Sequence, residues 1–139
     1  MQRLIWEPIK LGSKRYRHGE ALISMSKKEG RIFISSEACK LIPNIYTYHY
    51  VEPLKARGAD GGIIALGLRF TNVQTSTALT LRRPRYKGEP TGGCIITSKP
   101  LIRALFGTVG DLKTVQYPAE KYSDDTLMVL LKAKSEKAL

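Results

Sequence analysis

Gly30-Arg31-Ile32-Phe33-Ile34-Ser35-Ser36-Glu37-Ala38-Cys39-Lys40-Leu41-Ile42 reads as a strand that runs straight into a short helix. Ile32-Phe33-Ile34, β-branched and aromatic, is the strand. Ser35 and Ser36 are helix N-cap candidates, and Glu37 suits the positive end of a helix dipole. Ala38, Leu41 and Ile42 fall on one helical face. Pro43-Asn44 then stops the helix after about two turns. A second stretch of similar chemical type follows about sixty residues later: Gly92-Gly93-Cys94-Ile95-Ile96-Thr97-Ser98-Lys99-Pro100-Leu101-Ile102-Arg103-Ala104-Leu105-Phe106. Here Thr97 and Ser98 are the caps, and Pro100 falls in the first helical turn, where its missing N–H costs little. Leu101 with Leu105 and Ile102 with Phe106 form the apolar stripe, and Gly107 suits the helix end.

Working outward from the first stretch, Ile23 and Met25 alternate with Ser24 and Ser26, the period-two pattern of a strand. Lys27-Lys28-Glu29-Gly30 makes a turn, with Gly30 able to take positive φ. Beyond the helix, Tyr46, Tyr48 and Tyr50 alternate, which predicts a strand carrying three rings on one side. Residues 55 to 62 read as a charged, glycine-rich loop. Ile64, Leu66, Leu68 and Phe70 then share one strand face, with Arg69 opposite. Thr71 to Thr77 is a polar link, short enough that the flanking halves pack together.

The same order returns in the second half. Leu79 and Leu81 alternate with Thr80 and Arg82. A long basic turn follows, Arg82-Arg83-Pro84-Arg85-Tyr86-Lys87-Gly88-Glu89-Pro90-Thr91-Gly92. After the second helix come a Gly110-Asp111 turn, a strand through Tyr117, and a last apolar strand over Leu127 to Leu131. The expected fold is α+β and mostly β. Two pseudo-repeated ββαββ units, 21–70 and 78–132, pack into one β-barrel-like domain with two short helices. Residues 1–20 form a basic N-terminal arm and 133–139 a charged tail.

Together the elements carry a resemblance. Gly30-Arg31-Ile32-Phe33-Ile34 with Glu37 and Leu41 in the first half, and Leu105-Phe106-Gly107 with Gly110-Asp111 and the alternating Leu112 to Tyr117 in the second, look like the AbrB-like swapped-hairpin transcription regulators. The tandem order is similar to MraZ-type proteins, and the resemblance spans roughly residues 21–132. Ser35 and Thr97 stand where that family usually has proline. Pro43-Asn44 replaces the Gly-Asp turn in the first half, and Gly92-Gly93 replaces Gly-Arg in the second. The resemblance implies an interleaved, barrel-like β core, with DNA contacts from basic hairpin residues.

Composition bounds the function. The 139 residues are 42% hydrophobic, ordinary for one globular domain. Twenty-three Lys and Arg against twelve Asp and Glu give +11. Such a surface favours nucleic acid, an anionic membrane or an acidic protein patch. No apolar run approaches the ~20 residues of a membrane span, and the N-terminal residues do not have the form of a secretory signal. Cytoplasmic location is expected, nucleoid-associated if DNA is the partner. Two cysteines, Cys39 and Cys94, are too few for a disulfide scaffold and read as small buried residues in a reducing compartment.

Enzymatic constellations are missing. His18 and His49 have no Cys or carboxylate at metal-ligand spacing. Gly61-Gly62 and Gly92-Gly93 lack the Gly-Lys-Ser/Thr ending of a phosphate loop. Asp124-Asp125 is a lone acidic pair. No catalytic, metal or cofactor role is expected. The candidate nucleic-acid-binding residues are Lys14, Arg15, Tyr16 and Arg17 in the arm, Lys27, Lys28 and Arg31 in the first hairpin, and Arg82, Arg83, Arg85, Tyr86 and Lys87 in the long turn. Arginine forks read guanine edges and lysines attract phosphate, so the leading expectation is double-stranded DNA binding for transcriptional control, with DNA preferred over RNA. Two alternatives stand beside it. Tyr46, Tyr48 and Tyr50 would stack single-stranded DNA or RNA, or else half-cover a sheet face. A small protein-interaction module or inhibitor would dock on an acidic surface of a larger machine. The oligomeric expectation is a pseudo-symmetric monomer or a homo-oligomer.

Overall fold

The hairpin at Leu22 to Ile34 forms as its alternation dictates. Strands β1 (Leu22–Ser26) and β2 (Arg31–Ile34) pair antiparallel, Ile23 opposite Ile34 and Ser26 opposite Arg31. Gly30 takes φ +69° at the turn, and its N–H closes onto the Ser26 carbonyl at 2.8 Å. The structure is a computed structural model that describes residues 20–90, 92–107 and 113–131. The arm residues Lys14, Arg15, Tyr16 and Arg17, the Gly110-Asp111 turn and the charged tail lie outside the described residues.

Helix α1 (Ser36–Cys39) is capped by Ser35, whose side chain accepts from the Ala38 N–H. It is shorter than the two turns expected. The Leu41 and Ile42 N–H groups reach back three residues, to the carbonyls of Ala38 and Cys39, so the chain tightens before Pro43. A 3-10 turn then occupies Ile45–Thr47, entered through Asn44 at φ 56°. The predicted strand of alternating tyrosines is therefore absent. Only Tyr50 is in a strand, at the start of β3 (Tyr50–Arg57).

β3 runs through Lys55 to Arg57, so the loop expected from residue 55 shrinks to a turn at 58–62. That turn is closed by the Gly58 N–H on the Gly62 carbonyl at 2.8 Å. β4 (Ile63–Thr71) returns with Leu66, Leu68 and Phe70 buried. β5 (Leu79–Thr80) pairs only with Tyr50 and Val51, so Pro53 falls where β3 has no second neighbour. The long basic turn contains a small ribbon, β6 (Arg85–Tyr86) and β7 (Glu89–Pro90). Then come β8 (Cys94–Thr97), α2 (Lys99–Phe106), β9 (Thr114–Pro118), β10 (Glu120–Ser123) and β11 (Thr126–Leu130). Helix α2 is capped by Ser98, has proline in its first turn and ends at Gly107 with φ 74°.

The strands form two antiparallel sheets beside the ribbon. Sheet A has the order β8-β2-β1-β9, and sheet B the order β10-β11-β4-β3-β5. The hydrogen-bonded strands form no closed ring among the described residues. One apolar core joins the sheets: Ile23, Met25, Ile34, Ile96 and Tyr117 from A meet Val51, Leu68, Phe70, Leu127 and Val129 from B. Each such side chain, fully buried, contributes about 1.5–3 kcal/mol. The protein is thus mostly β with two short helices, and its basic turns sit on a stiff sheet.

Candidate nucleic-acid interface

The pairing of β2 with β8 places the two basic segments. It runs antiparallel, from Arg31 opposite Thr97 to Ile34 opposite Cys94. The Lys27–Gly30 turn therefore stands at one end of this pair and Gly92 precedes β8 at the other, while Arg82, where the basic loop begins, bridges Ile95 opposite Phe33 in between. From Gly30 the path is one residue step to Arg31, three along β2 to Ile34, and two back from Cys94 to Gly92. Those steps span about 20 Å along the strands. The first turn and the Gly92 end of the basic loop are therefore not adjacent.

At the first end, Gly30 packs against α2. A Cβ at Gly30 would come within 2.9 Å of the Lys99 backbone, and the Gly30 carbonyl accepts from the Ser98 N–H at 2.6 Å. This contact brings α2 beneath the turn. The Lys27 ammonium lies 4.8 Å from the centroid of the Phe106 ring. Arg31 is half-exposed with its guanidinium 3.7 Å from the Glu29 carboxylate. Lys28, Lys99 and Arg103 are exposed. Ser26 pairs with Thr114, so Lys113 enters β9 beside the same turn. Lys99, Arg103 and Lys113 were not among the candidates from sequence. The i, i+4 spacing of Lys99 and Arg103 on α2 was the available signal for two of them.

The second segment starts beside the pair, where the Arg82 backbone bridges to Ile95, opposite Phe33, through two hydrogen bonds of 2.9 and 2.7 Å. Lys87 at φ 52° and Gly88 at φ 84° turn the ribbon, as a tight type I′ hairpin requires. The Arg85 guanidinium donates to the Gly88 carbonyl at 2.9 Å, which folds that side chain across its own turn. The Arg83 guanidinium carbon lies over the Tyr46 ring, 3.6 Å from its centroid, a contact worth about 0.5–1 kcal/mol at an exposed site. One face of Arg83 is thereby occupied, and Arg83 is positioned by Tyr46. Arg82, Arg83, Arg85 and Lys87 are all exposed.

The tyrosines divide among three settings. Tyr46 lies under Arg83, and its hydroxyl donates to the Gly92 carbonyl. Tyr48 packs on the core edge against Phe70, ring centroids 6.3 Å apart. Tyr50 starts β3, between Thr71 and Thr80. They make no single stacking row.

Other chemistry lies elsewhere. A depression of about 470 Å³ lies on sheet B, lined by Leu54, Ala65, Gly67, Arg69, Tyr122 and Met128 among others. The Glu52 carboxylate accepts from the hydroxyls of Thr77 and Thr75, and these bonds, with the nearby Arg69 charge, hold it below the usual carboxylate range. Among the described residues no three His, Cys, Asp or Glu side chains converge to hold a metal, and no helix is long and apolar enough to cross a membrane. No family model, curated protein or solved structure matches this chain.

Proposed function

We propose that this protein binds double-stranded DNA through the basic segments at the two ends of the β2–β8 pair, in the service of transcriptional control. The observation that carries the reading is the placement of exposed cations. Lys28, Arg31, Lys99 and Arg103 stand by the first turn, and Arg82, Arg83, Arg85 and Lys87 lie on the loop that runs from the Ile95 bridge to the Gly92 end. Arg82 stands about 10 Å along β2 from Gly30 and the Gly92 end of the loop about 20 Å, so the basic segments together span more than the ~12 Å width of the major groove. The two ends therefore suit two separate stretches of phosphate backbone flanking a groove, with sheet A between them. Eight phosphate contacts would give a salt slope of roughly −7.

The finer architecture belongs to the same proposal: two interleaved half-repeats, 21–70 and 78–132, in a barrel-like packing. Three features support it. Phe33 stands opposite Ile95 at the middle of the β2–β8 pair. β1 pairs with β9 as β5 pairs with β3, and the Leu81 N–H continues that second pairing onto the His49 carbonyl at 2.9 Å. Gly30, at positive φ, abuts the first residue of α2, while Gly92, also at positive φ, abuts the first residue of α1, Ser36. An interleaved arrangement would fix the spacing of the two basic ends rigidly.

The test is a salt-titrated binding assay of the full chain with matched single- and double-stranded DNA and RNA. Duplex DNA should be preferred and retained at ~100 mM salt. Equal or tighter binding to single strands, or no binding to any nucleic acid, overturns the proposal.

A further inference from the structure

Cys39 and Cys94 are 55 residues apart in sequence, yet the β2–β8 pairing sets their sulfurs 3.6 Å from each other. Both are buried. The Cys39 S–H donates to the Cys94 sulfur. The Tyr46 ring carries the Arg83 guanidinium, and the Arg83 charge acts on both sulfurs. Both thiols are covered, Cys39 at 1% and Cys94 at 0% exposure, whereas Tyr46, stacked by Arg83, is 41% exposed.

The two thiols are inequivalent. The hydrogen bond that Cys39 donates, together with burial, pushes its pKa up. Accepting that bond, with the help of Arg83, lowers that of Cys94. Two thiols in contact, with an arginine charge favouring the ionised form of one of them, make the arrangement of an oxidisable pair.

We propose that Cys39 and Cys94 are a reversible modification site, closing to an intramolecular disulfide when the protein meets a peroxide. The Cys94 thiolate attacks one peroxide oxygen. The O–O bond breaks, and the departing hydroxide takes a proton and leaves as water. Cys94 is then a sulfenic acid. The Cys39 sulfur attacks the Cys94 sulfur, the S–O bond breaks, and the leaving oxygen takes the Cys39 proton as a second water. Two thiols and one peroxide give one disulfide and two waters.

The sulfurs must approach by about 1.5 Å to reach bonding distance. The β8 side is fixed, because Gly93 is pressed so closely to β2 that a Cβ there would lie 2.7 Å from the Phe33 ring and 2.8 Å from the Ile34 carbonyl. The movement falls to Cys39, at the end of a one-turn helix followed by the Lys40–Asn44 connection. Because the connection after Cys39 leads directly into the Ile45–Thr47 turn, whose Tyr46 carries Arg83, closure shifts the root of the second basic segment. Duplex affinity should then fall several-fold. This last step rests on the proposed function, whereas the disulfide does not.

The test exposes the full reduced chain to hydrogen peroxide, followed by denaturing thiol counting and non-reducing intact mass. The expected result is loss of both thiols, a monomer lighter by two hydrogens, and recovery on adding dithiothreitol. Cys39→Ser should trap a sulfenic acid at Cys94 that reacts with dimedone. Cys94→Ser should leave Cys39 a thiol, and Arg83→Gln should slow oxidation several-fold. Two thiols still titratable, oxygen adducts without a disulfide, or only intermolecular disulfides overturn the proposal. The wild-type measurement decides this alone, should a variant fail to fold. A disulfide that forms without changing duplex affinity refutes the coupling and leaves the site. Failure of the reduced protein to bind duplex refutes the proposed function and leaves the disulfide standing.

Discussion

Ser35→Ala should be far more costly than the same change at the other helix cap. The Ser35 oxygen serves three partners. It accepts from the Ala38 N–H at 3.2 Å, capping α1. It accepts from the Leu22 N–H at 2.9 Å, in a buried contact at the start of β1. Its hydroxyl donates to the Glu20 carbonyl at 3.2 Å. Loss of the cap costs about 1 kcal/mol. The Leu22 N–H, left buried without a partner, costs about 1–3 kcal/mol more. The sum is about 3 kcal/mol. Among the described residues the Ser98 side chain accepts from the Leu101 N–H alone, at 3.1 Å, so Ser98→Ala should cost about 1 kcal/mol. Equilibrium unfolding in urea measures both, as a shift in midpoint at unchanged slope. Equal costs for the two variants would refute the role assigned to Ser35 as the tie between hairpin and helix.

Further outcomes follow from the same geometry. Gly30→Ala should destabilise by well over ~1 kcal/mol, because it adds a contact at 2.9 Å from the Lys99 backbone to the strain of positive φ. Gly88→Ala, at φ +84° with open space around it, should cost only the strain of about 1 kcal/mol. Urea midpoints compare the two. Glu52 is held below the usual carboxylate range by its Thr77 and Thr75 hydrogen bonds. Its contribution is therefore complete above the ordinary Glu pKa and is lost as pH falls through the depressed folded value. Stability against pH should be flatter on the acid side in Glu52→Gln, and an unchanged acid limb would contradict this.

Much of the fold was legible because it is local. The β1–β2 hairpin, both serine caps, Pro100 in the first turn of α2 and the inward row of β4 follow from periodicity and turn chemistry within a few residues. The errors have physical causes. Tyr46-Thr47-Tyr48-His49-Tyr50 alternates like a strand, but Asn44 in the left-handed region throws the chain into a 3-10 turn first. β10 is exposed along its whole length, so it carries no hydrophobic signature. The pairing of β2 with β8 is non-local and has no local signal. Everything that depends on it was hidden: the opposed basic ends, the thiol contact and the docking of α2 under Gly30. The cations themselves were legible by type. Their partners, such as Tyr46 under Arg83, were not.

The central claim is that two separated basic ends both grip one duplex. It is tested most directly by the salt dependence of duplex DNA affinity for three charge-reversed proteins. One carries Lys28, Arg31 and Arg103 changed to glutamate, one carries Arg82, Arg83 and Arg85 changed to glutamate, and the third combines them. Each single set should weaken binding and reduce the magnitude of the log–log salt slope by about 3, and the combination should abolish binding. Affinity and slope unchanged in either single set would contradict the account.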